Sequence, residues 1–282
     1  MLRSVLLCAT LALAAALPGP TLAQTQAMQP EIASLSQTLN IDSLIAVMRE
    51  EGLANSSDME ADLFPGQGGA AWAVVVGKIY DAPRLRAKFD TALTNALHND
   101  PDTAAAMQGF FGTALGQRII ALEVEARRTL LDDAAVETAT ASWNKLQADK
   151  APRAAQIERF TQANDLIESN VMGALNANFA FYRGMAVGGA FAQPMSESDM
   201  LAEVWAQESA IRQETADWLY PFLTLAYQPL TDAELDSYIA FSYSVAGKKA
   251  NAAIFAAFDA MFVHISQELG QSAARVMAGQ AI

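Results

Sequence analysis

The stretch Phe110–Arg118, FFGTALGQR, returns in altered form as FSYSVAGKK, Phe241–Lys249. The shared frame is a phenylalanine, a hydroxyl residue three positions on, a glycine three later, then a polar residue and a base. The recurrence extends upstream. Asp100 stands ten residues before Phe110 and Thr231 ten before Phe241. Either residue suits a helix N-cap. Pro101 fits the first helical position, where its missing N–H costs nothing, and Thr231 with Glu234 has the spacing of a capping box. Cap and phrase therefore recur together at an interval of 131 residues. In each copy the pattern reads as a helix of about three turns, a break capped by Thr113 or Ser244, and a second helix with Gly116 or Gly247 in its first turn. A glycine there lets another backbone approach closely. The alternative is one continuous helix whose hydroxyl residue faces solvent.

Composition agrees with helices throughout. Alanine is abundant, and Leu, Met, Gln and Glu are frequent, all good helix formers. Strand-period alternation is scarce. WAVVVGKIY, Trp72–Tyr80, is the one serious strand candidate, but nothing nearby offers it a partner, and it reads as a buried helix. Asn40 is placed to cap a helix carrying Ile41, Leu44, Ile45 and Met48 and ending near Gly52. A short helix over Asp58–Phe64, a cap at Asp81, and a long helix over Asp199–Tyr227 whose last turns Pro221 bends or interrupts complete the reading. After the second joint, Ile254, Phe255, Phe258, Met261, Phe262 and Ile265 form a core stripe. The first copy agrees at Val124, Leu130 and Leu131 but places Glu123 and Arg127 where the second has Ile254 and Phe258. The two copies are expected to share a backbone and differ in burial. The expected fold class is all-α, a helical bundle built from two related helix–kink–helix repeats. Its expected parts are a signal peptide (1–23), a loose N-terminal segment (24–36), a first repeat (37–150) and a second (151–282). The polar, proline-bearing NKLQADKAPRAA marks the boundary between the repeats.

The chain opens MLRSVLLCATLALAAALPGPTLAQ. Arg3 gives a positive start, Val5–Leu17 is apolar or small, and Thr21-Leu22-Ala23 supplies small residues for cleavage after Ala23. Thirteen helical residues reach roughly 20 Å, short of a hydrocarbon core of about 30 Å, so a signal peptide is expected rather than an anchor. Cys8, the single cysteine, lies inside it. The mature chain then has no disulfide, thiol nucleophile or thiolate ligand, and its fold must rest on its core. Losing Arg3 leaves 17 basic against 31 acidic residues, a formal charge of −14. Such a chain repels phosphate backbones, so nucleic acid is not an expected partner. No run beyond residue 23 reads as a membrane span. The periplasm is the expected location.

LTDAELDSYIAFSYSVAGKK, closing at Lys249, resembles a family of secreted bacterial proteins called domain of unknown function 2059 (DUF 2059). That family opens a helix with T-x-x-E-L and follows an aromatic stretch with S-P-x-G-[QK]-K. DPDTAAAMQGFFGTALGQR resembles it more weakly, and Ala114 and Val245 stand where the family has proline. The resemblance implies two tandem copies and carries no activity.

Catalytic signatures are missing from the sequence. His98 and His264 are the whole imidazole supply and belong to no ligand motif. His98 suits a helix C-terminus, and His264 lies beside core positions; both read as structural. Glu123 with Arg127, and Glu208 with Arg212, have the spacing of exposed helical ion pairs. Asp199 and Glu203 are like charges at the same spacing, better read as an exposed face than as a cation site. Gly184 and Gly188 read as a close helix contact. Phe179, Phe181, Tyr182, Met185, Phe191 and Met195 suit either core or the wall of an apolar groove. No catalytic, cofactor-binding or metal-binding residue is therefore assigned, and no cofactor. The leading expectation is a non-enzymatic periplasmic protein that binds an envelope protein. The alternative is a carrier of an apolar small molecule in a groove between helices, and the third is a carboxylate-based enzyme. A deep apolar pocket favours the carrier, two buried carboxylates facing one cleft favour the enzyme, and a closed core with an exposed apolar patch favours partner binding.

Overall fold

The computed structural model describes residues 30–191 and 193–280, and every described element is an α-helix. The expected signal peptide lies outside the described residues. In chain order the helices are α1 (Pro30–Thr38), α2 (Ile41–Ala54), α3 (Ser56–Leu63), α4 (Gly69–Ile79), α5 (Ala82–Leu97), α6 (Pro101–Phe111), α7 (Ala114–Thr129) and α8 (Asp133–Ala148), followed by α9 (Pro152–Ala163), α10 (Leu166–Val187), α11 (Glu197–Trp205), α12 (Glu208–Tyr227), α13 (Asp232–Tyr243) and α14 (Val245–Met277). The segment expected to be loose, 24–36, is corrected in its second part: residues 30–36 belong to α1, and Leu35 and Ser36 are buried.

Both chain breaks fall at the hydroxyl residues. Asp100 accepts from the Thr103 N–H at 3.2 Å and Thr231 forms a full capping box with Glu234. Thr113 Oγ1 accepts from the Gly116 N–H at 3.0 Å, and Ser244 Oγ from the Gly247 N–H at 2.9 Å. A Cβ on Gly116 would collide with the Phe110 carbonyl oxygen, and one on Gly247 with that of Phe241. Glycine is required because the preceding helix ends directly against the new first turn.

The joints meet each other. The Phe110 and Phe241 rings stack at 4.3 Å with a 9° interplanar angle. Arg118 of the first joint bonds Glu234 at the start of α13 (2.7 Å), and Lys249 of the second bonds Asp100 at the start of α6 (2.6 Å). Asn40 before α2 and Asp165 before α10 both adopt left-handed backbone, with φ 50° and 49°. Asn40 therefore introduces α2 by a backbone turn, without the expected side-chain cap, and α2 runs through Gly52, which packs against the Tyr80 ring.

The segment expected as a buried helix, Trp72–Tyr80, is helical through Ile79, with Tyr80 as its C-cap. Trp72, Val76 and Ile79, at helical spacing on α4, are buried, while Val74 stays exposed. The expected long helix over Asp199–Tyr227 is two helices, α11 and α12, parted at Ala206–Gln207, with Pro221 inside α12. Leu130 and Leu131, expected on the core stripe, fall beyond the end of α7, and Leu131 is exposed.

A single main core draws residues from Leu35 to Val276 and crosses the turn at residues 149–151 between α8 and α9. Its spine is the contact between α10 and α14. Gly184 and Gly188 face the α14 backbone near Gln267 and Gln271, and Gly270 faces the α10 backbone at Phe181. The G-x-x-x-G is thus a close helix contact, as its spacing indicated. α14 corrects one expectation. By length and mean hydropathy (1.2) it would pass as a membrane span, and 39% of that window is buried within the protein. Phe255, Phe258, Met261, Phe262 and Ile265 face the core, so its apolarity is that of a central core helix.

Candidate functional site

Two cavities lie between the halves. The larger, about 440 Å³, is lined by α2, α3 and α4 on one side and α10, α12 and α14 on the other. Trp72 is fixed in its wall: its indole N–H donates to the Ser56 carbonyl at 2.9 Å, and its ring meets Phe64 edge-on at 5.0 Å. Met59, Leu63, Phe262 and Ile265 extend the apolar lining. Of the aromatic and methionine cluster singled out in the sequence, Phe181, Tyr182, Met185 and Phe191 line this space. Phe179 instead packs on a satellite core of Val171, Ala174, Leu175, Val204 and Ile211, and Met195 lies half-buried before α11. Polar groups concentrate around Asn178, which donates to the Gln207 side-chain oxygen at 3.1 Å, and Glu214. Volume and composition both fall within the range of small-molecule pockets, roughly 300–1,000 Å³.

The smaller cavity, about 200 Å³, lies under the joints between α7, α12, α13 and α14. Its chemistry comes from Glu123. The expected pairing of Glu123 with Arg127 does not form. Arg127 turns to Glu51 of α2 in a bidentate bridge, 2.7 Å on each arm. The Glu123 carboxyl instead accepts from the Tyr227 hydroxyl at 2.7 Å and from Tyr238. Glu123 keeps some accessible surface where it lines the cavity. Its carboxyl is nonetheless deep enough that desolvation raises its pKa from 4.5 to about 7 against both hydrogen bonds. Burial, with the Glu123 charge beside them, holds both tyrosines well above 10, so they remain phenol donors. The positions matching Glu123 and Arg127 in the second copy, Ile254 and Phe258, line the same cavity. Glu123 carries the clearest functional chemistry in the chain, and no role was assigned to it from sequence. Its signal was the charged pair interrupting a stripe that the second copy keeps apolar.

The remaining candidates line neither cavity. His98 Nδ1 lies 3.1 Å from the Asn95 carbonyl at the end of α5. His264 accepts from Arg84 at 2.6 Å, and burial lowers its pKa, so the imidazole is neutral. Glu208 does pair with Arg212, at 2.7 Å. Asp199 completes the capping box of Ser196, and Glu203 is exposed. Among the described residues no three His, Cys, Asp or Glu are grouped to hold a metal ion. Burial also raises Asp259 to about 6 against a hydrogen bond from Asn176, and Asp259 lines neither of these two cavities.

In comparisons with family models, curated proteins and solved structures, nothing matches this chain.

Proposed function

We propose that this protein is an exported, non-catalytic helical binding protein whose larger cavity carries an apolar small molecule. The observation that carries this reading is the 440 Å³ space lined by Trp72, Phe181, Met185, Phe191 and Phe262, with amides at Asn178 and Gln207. A space of that size and lining suits dispersion contacts with an apolar guest. The periplasm as its location rests on the signal-like first 23 residues. The proposal is tested with mature protein purified from its native host and extracted into organic solvent. A stoichiometric apolar compound, displaced with quenching of Trp72 fluorescence, supports it. Protein that yields no such compound and shows no saturable response to any apolar probe refutes it.

The chain also reads as two copies of one helix–kink–helix unit, in keeping with the resemblance to DUF 2059. Supporting this are the matched caps at Thr113 and Ser244, the crossed pairs Arg118–Glu234 and Lys249–Asp100, and the stacking of Phe110 on Phe241. Phe110 and Phe241 are related by the 131-residue interval and touch, and the bases of each joint, Arg118 and Lys249, reach the start of the other copy's first helix.

Binding to an envelope protein keeps one specific support. Leu201 and Trp205, one turn apart on α11, are 42% and 53% exposed. Crosslinking at position 205 in the native envelope tests this reading; recovery of the monomer alone refutes it.

A further inference from the structure

The smaller cavity has a lining that calls for a different kind of guest. We propose that it is a second binding site, for a small organic ammonium ion, with the Glu123 carboxylate as counter-ion. Every strong polar feature around that carboxylate is accounted for except a positive charge. Tyr227 from α12 and Tyr238 from α13 donate to it but stay neutral. Arg127, one turn along α7, is held by Glu51 on both guanidinium arms, so its charge is already matched. From α14 the cavity receives Asn251, Ile254 and Phe258, and from the turn before α10 it receives Asn164. None of these can be cationic.

The amides point the same way. Asn164 Nδ2 donates to the Phe160 carbonyl at 3.0 Å, and Asn251 Nδ2 to the Asn164 carbonyl at 2.7 Å. A backbone carbonyl can only accept, which fixes which end of each amide is the nitrogen, and each amide oxygen remains an acceptor. The polar lining thus includes acceptors beside the Arg127 already paired with Glu51, and the apolar lining includes the aromatic residues Phe160, Trp218 and Phe222, a class whose ring faces attract cations. An ammonium supplies donors only and carries the missing charge. Half-buried Leu44, Trp218, Phe222 and Ile254 mark where the cavity meets the surface. Since a dry cavity of about 150 Å³ accepts benzene, 200 Å³ admits a guest of roughly eight heavy atoms.

Benzylammonium matches that size and is the probe, with benzyl alcohol as the neutral control of similar shape and benzoate as the anionic one. Titration calorimetry on the full mature protein at about pH 8 is expected to show one equivalent of benzylammonium bound at least tenfold more tightly than benzyl alcohol, and no benzoate. Lowering the pH to about 5 protonates Glu123 and should erase the preference. Glu123→Gln should erase it at both pH values. Ala210→Trp, placed in the lining of the larger cavity, should leave it unchanged and so separates this site from the proposed carrier site. Equal affinity for amine and alcohol, no binding, or a preference that survives at pH 5 overturns the proposal. So does a preference that is lost in Ala210→Trp. These comparisons are made on wild-type or Ala210→Trp protein and stand even if Glu123→Gln fails to fold.

Discussion

Replacing Glu123 with glutamine should make the ligand-free protein more stable at alkaline pH and leave it nearly unchanged in acid. The wild-type carboxyl titrates at about 7 in the folded protein, against 4.5 for its ordinary value. The native state therefore binds more protons than the unfolded chain between these values. By linkage, wild-type stability falls as pH rises through that window. A shift of about 2.5 units at ~1.4 kcal/mol per unit amounts to about 3 kcal/mol, absent below about pH 4.5 and fully present above about pH 7. Glutamine is uncharged throughout and keeps an oxygen for Tyr227 and Tyr238. The charge-assisted part of those bonds belongs to the ionised carboxylate alone and is already contained in its net shift. The variant should gain about 3 kcal/mol over wild type at pH 8.5 and match it within ~1 kcal/mol at pH 4.5, where the wild-type carboxyl is itself uncharged. Urea melts of both proteins across that range, after unfolding and refolding to remove any bound guest, measure the difference directly. Parallel stability curves would show that the carboxyl is solvated and that its placement against Tyr227 and Tyr238 is misread.

Three further substitutions probe the frame. Gly247→Ala would be mildly stabilising in an open helix, but its Cβ meets the Phe241 carbonyl oxygen, so a loss of about 2 kcal/mol is expected in denaturant melts; a gain would mean that the joint is loose. Ser244→Ala removes the cap on the Gly247 N–H and should cost ~1 kcal/mol, whereas no measurable change would deny the cap any energetic role. Arg127→Ala leaves Glu51 largely buried without its bidentate partner and should cost about 3 kcal/mol near neutral pH; a loss below ~1 kcal/mol would place that bridge in solvent.

The helices and their breaks were legible because local chemistry settles them. Asp81, Asp100, Thr113, Thr231 and Ser244 all cap where a hydroxyl or carboxylate precedes a helical run, and each accepts from an N–H three residues on. Asn40 was half legible: the helix starts after it, but left-handed backbone makes the turn in place of a side-chain bond. The gap between α11 and α12 was not legible, since the residues around Ala206 and Gln207 include no proline or glycine to announce it. Glu123 escaped for a different reason. Four-residue spacing to Arg127 favours a helical ion pair whenever only one helix is considered. The structure offers each residue a better partner from another helix, Tyr227 and Glu51, more than seventy positions away in sequence. Part of the wall of the larger cavity was visible as an aromatic and methionine cluster, yet the same residues suit a closed core. Deciding between a filled and an empty space requires the opposing helices α2 to α4.

The central claim is that the larger cavity holds an apolar molecule, and native mass spectrometry of the mature protein from its own host tests it most directly. The account predicts wild-type protein carrying one equivalent of a small apolar compound that gentle activation releases. It predicts Ala210→Trp, folded with unchanged helix content, without that added mass. Wild-type protein that flies at its bare polypeptide mass, or an adduct that persists undiminished in Ala210→Trp, would contradict it.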